Sequence, residues 1–274
     1  MSFPEPEHEP DLPFLCAEPD APPPEPGAPQ LLYLQPPRLG IIHLLAWTAV
    51  AAVFLKFGLA IESMDAGPVQ DLPPALSVAM RSIHAAFGVL HAAALVGCGT
   101  LLLARARGWP GRFQPGHWIV LLQSVMVLLS YFVWITWVAT QSGQSSGPSD
   151  FFWLPLALGL LQAVYAAGYV LGASRIRDAL RWRVGLIVVA IVNGLGAILY
   201  CLLAFGFWRV SQWMALPWDA VVVLLMLAAV LIAEWWRRAR RDWVHWLGVA
   251  TLGMGAALSL ANRIVWMGYQ AAQQ

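Results

Sequence analysis

Two of the six histidines in this sequence, His84 and His91, are placed where an imidazole could bind a haem iron inside an apolar segment. They are seven residues apart, so they lie on one face of the same predicted helix. Because that spacing is a rise of about 10 Å, they cannot share one iron, and each needs a partner from another helix. For His91 the candidate partners are Met126 and Met254. Haem-binding electron transfer is one hypothesis for the function, and hydrogen-bonded or interfacial histidines are its alternative. No other cofactor is predicted.

A second set of side chains is polar and falls at similar depth in four different apolar runs. Counting a rise of about 1.5 Å per residue from the start of each run groups His91, Ser130, Gln162 and Asn193. A polar side chain in hydrocarbon is costly and marks a functional hypothesis, here a ligand or transport site. The alternative is packing, in which such groups hydrogen-bond between helices for about 0.6 kcal/mol each. This midplane polar cluster therefore has two interpretations, a ligand or transport site and interhelical packing.

Carboxylates are missing from the middle of every apolar run. Glu234 and Asp219 lie at opposite ends of one run, within reach of the interface. Ion-coupled carriers often place a carboxylate near the midplane, so this pattern disfavours ion-coupled transport. His43, His117 and His245 begin their runs at one end of the predicted bundle, but no carboxylate or cysteine spacing supports a metal there. No metal site is predicted.

The composition indicates which kind of secondary structure carries these residues. Hydrophobic residues make up 59% of the 274 residues and charged residues only 11%, whereas a soluble domain has roughly 25% charged residues. A spanning helix needs about 20 apolar residues, so the chain has room for seven. We predict an all-α, polytopic transmembrane helical bundle of about seven spanning helices. The predicted spans are 39–61, 80–104, 117–140, 151–173, 184–206, 217–236 and 243–266.

The first 38 residues differ from the rest. Up to residue 37 they contain twelve prolines and seven acidic residues, with no lysine or arginine. Such a composition predicts a disordered tail, partly polyproline II, ahead of a transmembrane domain at 39–274. Proline-rich segments bind grooves in partner proteins or act as spacers, so a cytoplasmic protein partner is one expectation for the tail.

Arginine placement predicts the orientation. Counted over alternate loops, twelve arginines fall on one side of the predicted bundle and two on the other. The positive-inside rule then places the amino terminus in the cytoplasm and the carboxyl terminus outside, in a cell (inner or cytoplasmic) membrane. The arginine-rich side also suits anionic lipid headgroups, although topology alone explains it. The candidate lipid-binding rim is Arg177, Arg181, Arg237 and Arg238.

Three function classes follow from these patterns. The sequence lacks phosphate-binding, zinc-protease, serine-hydrolase and dinucleotide-binding motifs, which disfavours enzyme chemistry. Its basic residues lie in short turns rather than on a domain face, which disfavours nucleic-acid binding. We therefore expect a non-enzymatic membrane component acting as scaffold, subunit or sensor within the lipid bilayer. The alternatives are a small-molecule or lipid transporter that uses the midplane polar cluster, and a haem-binding membrane electron-transfer protein.

Overall fold

The computed structural model describes residues 39–64, 73–109, 113–141, 150–176, 179–236 and 241–272. Within these ranges every regular element is a helix and there is no strand, which confirms the predicted helical bundle. The helices are α1 (Ile41–Met64), α2 (Pro74–Ala106), α3 (Pro115–Gln141), α4 (Asp150–Arg175), α5 (Leu180–Ala204), α6 (Val210–Ala215), α7 (Trp218–Trp236) and α8 (Trp243–Ala272). The predicted tail, 1–38, lies outside the described residues.

Among the described residues, six segments are long and apolar enough to cross a bilayer: α2, α3, α4, α5, α8, and α6 together with α7. The apolar stretch of α1 that qualifies is shorter, Ile41–Lys56. Large apolar side chains such as Ile41, Leu225 and Val164 are more than half exposed, which suits contact with lipid chains rather than water. The chain is a multi-pass membrane protein.

Two helices end in the same way, and glycine is the reason. Gly108 after α2 and Gly206 after α5 both have a φ of +87°, a left-handed conformation that favours glycine. In each case the N–H of the glycine and the N–H of the residue after it donate to carbonyls of the last helical turn, as in a Schellman motif. At the other end of α2, the helix starts at Pro74 rather than near 80, because proline is tolerated in a first helical turn.

The membrane helices form a ring. Going round it, α2 packs on α3, α3 on α4, α4 on α5, α5 on α7, α7 on α8, and α8 again on α2. α3 also packs on α8 across the ring, while α1 packs on α2. Ring neighbours run antiparallel, so the carboxyl ends of α2, α4 and α7 meet the amino ends of α3, α5 and α8. We call this the arginine end, and the other the opposite end.

Tight packing is concentrated toward the arginine end. Tyr169, Trp182, Leu186 and Ile119 are at most 1% exposed and belong to one cluster formed by α3, α4, α5, α7 and α8. A smaller cluster around Leu101 joins α2, α3 and α8. The small residues that bring backbones together lie here as well: a Cβ at Gly116 or Gly248 would collide with backbone of the facing helix. The half of the bundle toward the opposite end is packed less completely.

Candidate functional site

A cavity of about 390 Å³ lies within the ring and is lined by residues from all six of its helices. This volume falls within the range of roughly 300–1,000 Å³ that is usual for small-molecule sites. Along α3 the lining runs from Gln123 to Ser130, and along α8 from Leu252 to Ser259. Each of these stretches covers seven residue steps, or about 10 Å of helix rise. The cavity thus occupies the middle of the bundle and reaches Asp219, in the first turn of α7.

The structure brings the midplane polar cluster together: His91, Ser130, Gln162 and Asn193 all line this one cavity. The Asn193 side chain donates from Nδ2 to the Val189 carbonyl of its own helix, at 2.7 Å. The Nδ1 atom of His91 is buried without a hydrogen-bond partner in the described part of the chain. That these four bind a ligand stays a prediction.

His91 is surrounded by aromatic rings. Its ring centroid lies 6.1 Å from that of Phe54, 5.9 Å from that of Phe87 and 5.9 Å from that of Tyr131. These rings come from α1, α2 and α3, so α1 supports the cavity from outside the ring. These contacts restrict the orientation of the imidazole, and none of the three rings carries a charge.

Further polar residues of the lining were missed by the sequence analysis: Gln123, Tyr165, Asp219 and Ser259. The Tyr169 hydroxyl donates to the Tyr165 hydroxyl at 3.1 Å, so the cavity is also polar where Tyr165 lines it. Helical spacing could have indicated Gln123, because residues seven apart share one face of a helix. Gln123 is seven residues before Ser130, which was in the predicted cluster.

Asp219 and Arg263 form an ion pair on the side of the cavity that faces the opposite end of the bundle. Arg263 Nη2 donates to Asp219 Oδ2 at 2.7 Å, and its Nη1 donates to the Leu216 carbonyl. The other oxygen of Asp219 accepts the backbone N–H of Ala220 at 2.8 Å. The two side chains are 25% and 29% exposed. The carboxylate in the lining is therefore already neutralised by the protein.

A network of polar side chains joins the helices at the arginine end. Asp242 Oδ1 accepts the His245 backbone N–H at 2.9 Å, which caps the amino end of α8, and it accepts His117 Nε2–H at 2.8 Å. The Nδ1 atoms of His117 and His245 accept backbone N–H groups, from Gln114 at 3.2 Å and from Gly116 at 3.0 Å. Each imidazole therefore carries its proton on Nε2, and α3 and α8 are joined at their first turns.

Glu234 extends this network to α5 and α7. It is 8% exposed and accepts hydrogen bonds from Trp182 Nε1 at 2.8 Å and Arg241 Nη2 at 2.7 Å. His245 Nε2 lies 3.7 Å from Glu234 Oε2. Helix packing therefore brings two carboxylates, Asp242 and Glu234, to His117 and His245, which the spacing of these residues in the sequence did not indicate. We use the name polar network for His117, Trp182, Glu234, Arg241, Asp242 and His245.

The charge of Asp242 is set by its partners. Burial alone raises the pKa of Asp242, but hydrogen bonds from the His117 ring and the His245 N–H outweigh burial and hold that pKa below its ordinary range. Within the described ranges, no group of three or more histidine, cysteine, aspartate or glutamate side chains has metal-binding geometry. The network is suited to joining helices.

The haem candidates lie on α2, as predicted from their spacing. His84 is exposed, whereas His91 faces the cavity. Met126 lines the same cavity, and Met254 is 55% exposed. Of the two methionines considered as partners for His91, Met126 therefore shares its cavity. Haem binding stays a prediction.

The candidate lipid-binding rim is described only at Arg181. This side chain is exposed and donates to the Ala233 carbonyl at 3.1 Å, close to the carboxyl end of α7. Such a contact satisfies a carbonyl that the helix itself leaves free. Arg177, Arg237 and Arg238 lie outside the described residues. Lipid binding by this rim stays a prediction.

The cavity and the polar network offer different chemistry. The cavity offers neutral donors and acceptors to a guest, while the network directs its hydrogen bonds to other protein groups. The chain matches no protein-family model, no curated protein and no solved structure.

Proposed function

We propose that this membrane protein is a non-enzymatic binding protein whose intramembrane cavity holds a small molecule, as a sensor subunit or a carrier. The observation that supports this is the cavity that six helices surround with polar side chains at bilayer depth. Polar groups that serve only as packing would hydrogen-bond to each other between helices. Across the described residues no hydrogen bond joins any two of His91, Ser130, Gln162 and Asn193, and Asn193 bonds to its own helix.

The absence of a second carboxylate from the described lining supports a binding role over an enzymatic one. General acid–base chemistry uses titratable groups that are free to exchange a proton with the substrate. Asp219 is the carboxylate of the lining, and it is held by Arg263 and the Ala220 N–H. The amides and hydroxyls of the lining do not titrate near neutral pH, so hydrogen bonding to a guest is the role open to them.

A pair of alanine substitutions on α8 tests this proposal. Ala256 lines the cavity, whereas its neighbour Ala257 is exposed on the outer surface. Ala256→Phe fills the cavity with a ring, and Ala257→Phe places the same ring against lipid. After purification in mild detergent, small molecules extracted from each protein are compared by mass spectrometry. We expect a compound near equimolar amount in wild type and Ala257→Phe, reduced at least about tenfold in Ala256→Phe.

The same comparison can contradict the proposal. If every extracted compound is as abundant with Ala256→Phe as with wild type, the cavity holds no co-purifying ligand and the proposal fails. Thermal melting of both variants serves as the folding control. It must show a similar midpoint, because overpacking can cost about 1–3 kcal/mol.

We further propose that the arginine end faces the cytoplasm of a cell (inner) membrane. Six described arginines support this: Arg105, Arg107, Arg175, Arg181, Arg183 and Arg241. In this orientation the tail, 1–38, would meet cytoplasmic partners. In a variant without native cysteines, Ser211→Cys should react with an impermeant maleimide in intact cells, and Arg107→Cys only after lysis. The reverse pattern would invert the topology.

Haem-binding electron transfer is a second candidate, favoured by the presence of His91 and Met126 in one cavity. These are ligand types that bind haem iron. An absorption spectrum of the purified protein, taken oxidised and then reduced with dithionite, tests it. A Soret band that disappears in His91→Ala would favour this candidate. A featureless visible spectrum after haem supplementation would exclude it.

A further inference from the structure

The charges around the cavity indicate which class of molecule it accepts. Asp219 is the carboxylate of the described lining, and no lysine or arginine is among those residues. Arg263 Nη2 lies 2.7 Å from Asp219 Oδ2, so the pair sums to zero charge. The remaining polar groups of the lining are amides, hydroxyls and one imidazole. The cavity therefore offers no unpaired counter-ion to a charged guest.

An ion entering such a cavity would lose its hydration without gaining a partner. The effective penalty for burying an unpaired ion in a protein is several kcal/mol. An uncharged guest avoids this penalty and can hydrogen-bond to side chains such as Gln162. Between the polar positions the wall is apolar, with Met126, Val127, Val192 and Val223. An apolar body with a terminal hydrogen-bonding group fits this pattern.

The dimensions of the cavity limit the size of the guest. Gln123 to Ser130 on α3 and Leu252 to Ser259 on α8 each cover about 10 Å of helix rise. With a volume of about 390 Å³, the cavity is near the lower end for small-molecule sites. Resting on the proposed binding function, we infer that the ligand is an uncharged, mainly apolar molecule about 10 Å long with a hydrogen-bonding group.

Three probes with one skeleton test this inference at pH 7: 4-phenylbutan-1-ol, 4-phenylbutanoate and 4-phenylbutylammonium. Equilibrium binding to the full-length, detergent-purified protein is measured for each, and binding to Ala256→Phe is subtracted to remove partition into detergent. We expect the alcohol to bind at least about tenfold more tightly than either ion. If either ion binds as tightly as the alcohol, the inference fails while the binding function stands. If no probe distinguishes wild type from Ala256→Phe, both the inference and its premise are contradicted.

Removing one member of the ion pair should then change the preference. Arg263→Gln leaves the Asp219 charge unpaired and should make the ammonium probe the tightest of the three. Asp219→Asn leaves Arg263 unpaired and should favour the butanoate probe. Arg209→Gln, an exposed arginine outside the lining, is the matched control and should keep the wild-type order.

Unchanged selectivity in both folded variants would overturn the role of the ion pair. A purely structural pair would lower the melting temperature without reversing the order of the probes, so selectivity separates the two roles. Should either variant fail to fold, the three-probe comparison between wild type and Ala256→Phe decides the inference by itself.

Discussion

At the arginine end, α3 and α8 approach so closely that a Cβ at Gly116 would collide with the His245 carbonyl. Around the cavity the same kind of residue has room, since a Cβ at Gly196 would come no nearer than 3.9 Å to Gln162. The polar groups of the two regions differ as well. Hydrogen bonds join groups of the polar network to protein partners, and those from His117 to Asp242 and from Trp182 to Glu234 cross between helices. Its Asp242 Oδ2 and His245 Nε2 have no partner among the described residues. In the cavity half, Asn193 bonds only within its own helix and His91 Nδ1 has no partner among the described residues.

The bundle therefore has a packed region that holds the helices together and a second region in which the same helices surround a cavity. The filled region contains Trp182, Tyr169 and the polar network, whose members His117, Glu234 and His245 are also buried, while Arg241 is partly exposed. It holds α3, α5, α7 and α8 at one end, so their other halves can surround a cavity without collapsing. Sites of this kind require rigid support from outside their own lining.

The largest effect is expected from Gly116→Ala or Gly248→Ala. In each variant the new methyl group meets backbone of the other helix, which cannot rotate away as a side chain can. We expect at least about 3 kcal/mol of destabilisation and loss of most folded protein. Size-exclusion chromatography and SDS-titration unfolding measure this. Gly99→Ala, where a Cβ has nothing within 4 Å, is the control and should be neutral or slightly stabilising. Equal behaviour of Gly116→Ala and Gly99→Ala would refute the close contact.

A smaller loss is expected when Glu234 is removed. Glu234→Ala leaves the Trp182 indole N–H and the Arg241 guanidinium without their acceptor in a nearly buried site. Breaking a fully buried pair costs roughly 3 kcal/mol or more in unfolding free energy, and because the Arg241 side chain is 21% exposed we expect a loss of about 2 kcal/mol here. Glu234→Gln keeps an acceptor for Trp182 and should lose about half as much. If Ala and Gln cost the same in SDS-titration unfolding, the indole hydrogen bond does not contribute.

Accessibility should distinguish the two regions on a single helix. Ser259 lines the cavity, and Thr251, two turns earlier on α8, is 3% exposed within the packed region. In a variant without native cysteines, Ser259→Cys should react with N-ethylmaleimide at least about tenfold faster than Thr251→Cys. The measurement is the modification rate followed by mass spectrometry. Similar rates would mean that the filled region opens as readily as the cavity.

The smallest effect concerns pH and Asp242. The pKa of Asp242 is lower in the folded protein, so its ionised form adds stability above the usual aspartate value of about 3.9 and loses it as pH falls through the folded value. Asp242→Asn keeps an N-cap acceptor but no charge. We expect it to be about 1 kcal/mol less stable at pH 7, with the difference closing below about pH 3.9. A difference independent of pH would show that charge plays no part.

Several elements could be predicted from local sequence, and others depended on distant residues. The span predicted at 217–236 is helix Trp218–Trp236, because a run of apolar residues in a membrane must satisfy its own backbone. The pairing of His117 with Asp242 joins residues 125 positions apart, and that of Asp219 with Arg263 joins residues 44 apart. No local pattern contains these pairings. Depth counting grouped four of the cavity residues, but it could not show which helix faces meet.

Composition and segment length by themselves determined that the chain is helical and crosses a membrane several times. An apolar run cannot remain unpaired in lipid, and only a helix pairs every backbone group within one segment. The order of helices around the ring, the collision-free fit of Gly116 against α8, and the cavity were decided by the tertiary structure. The physical reason is that lipid is as apolar as the helix interfaces, so hydrophobicity does not distinguish a face that packs from one that meets lipid. Close packing and a few hydrogen bonds between distant residues make that distinction.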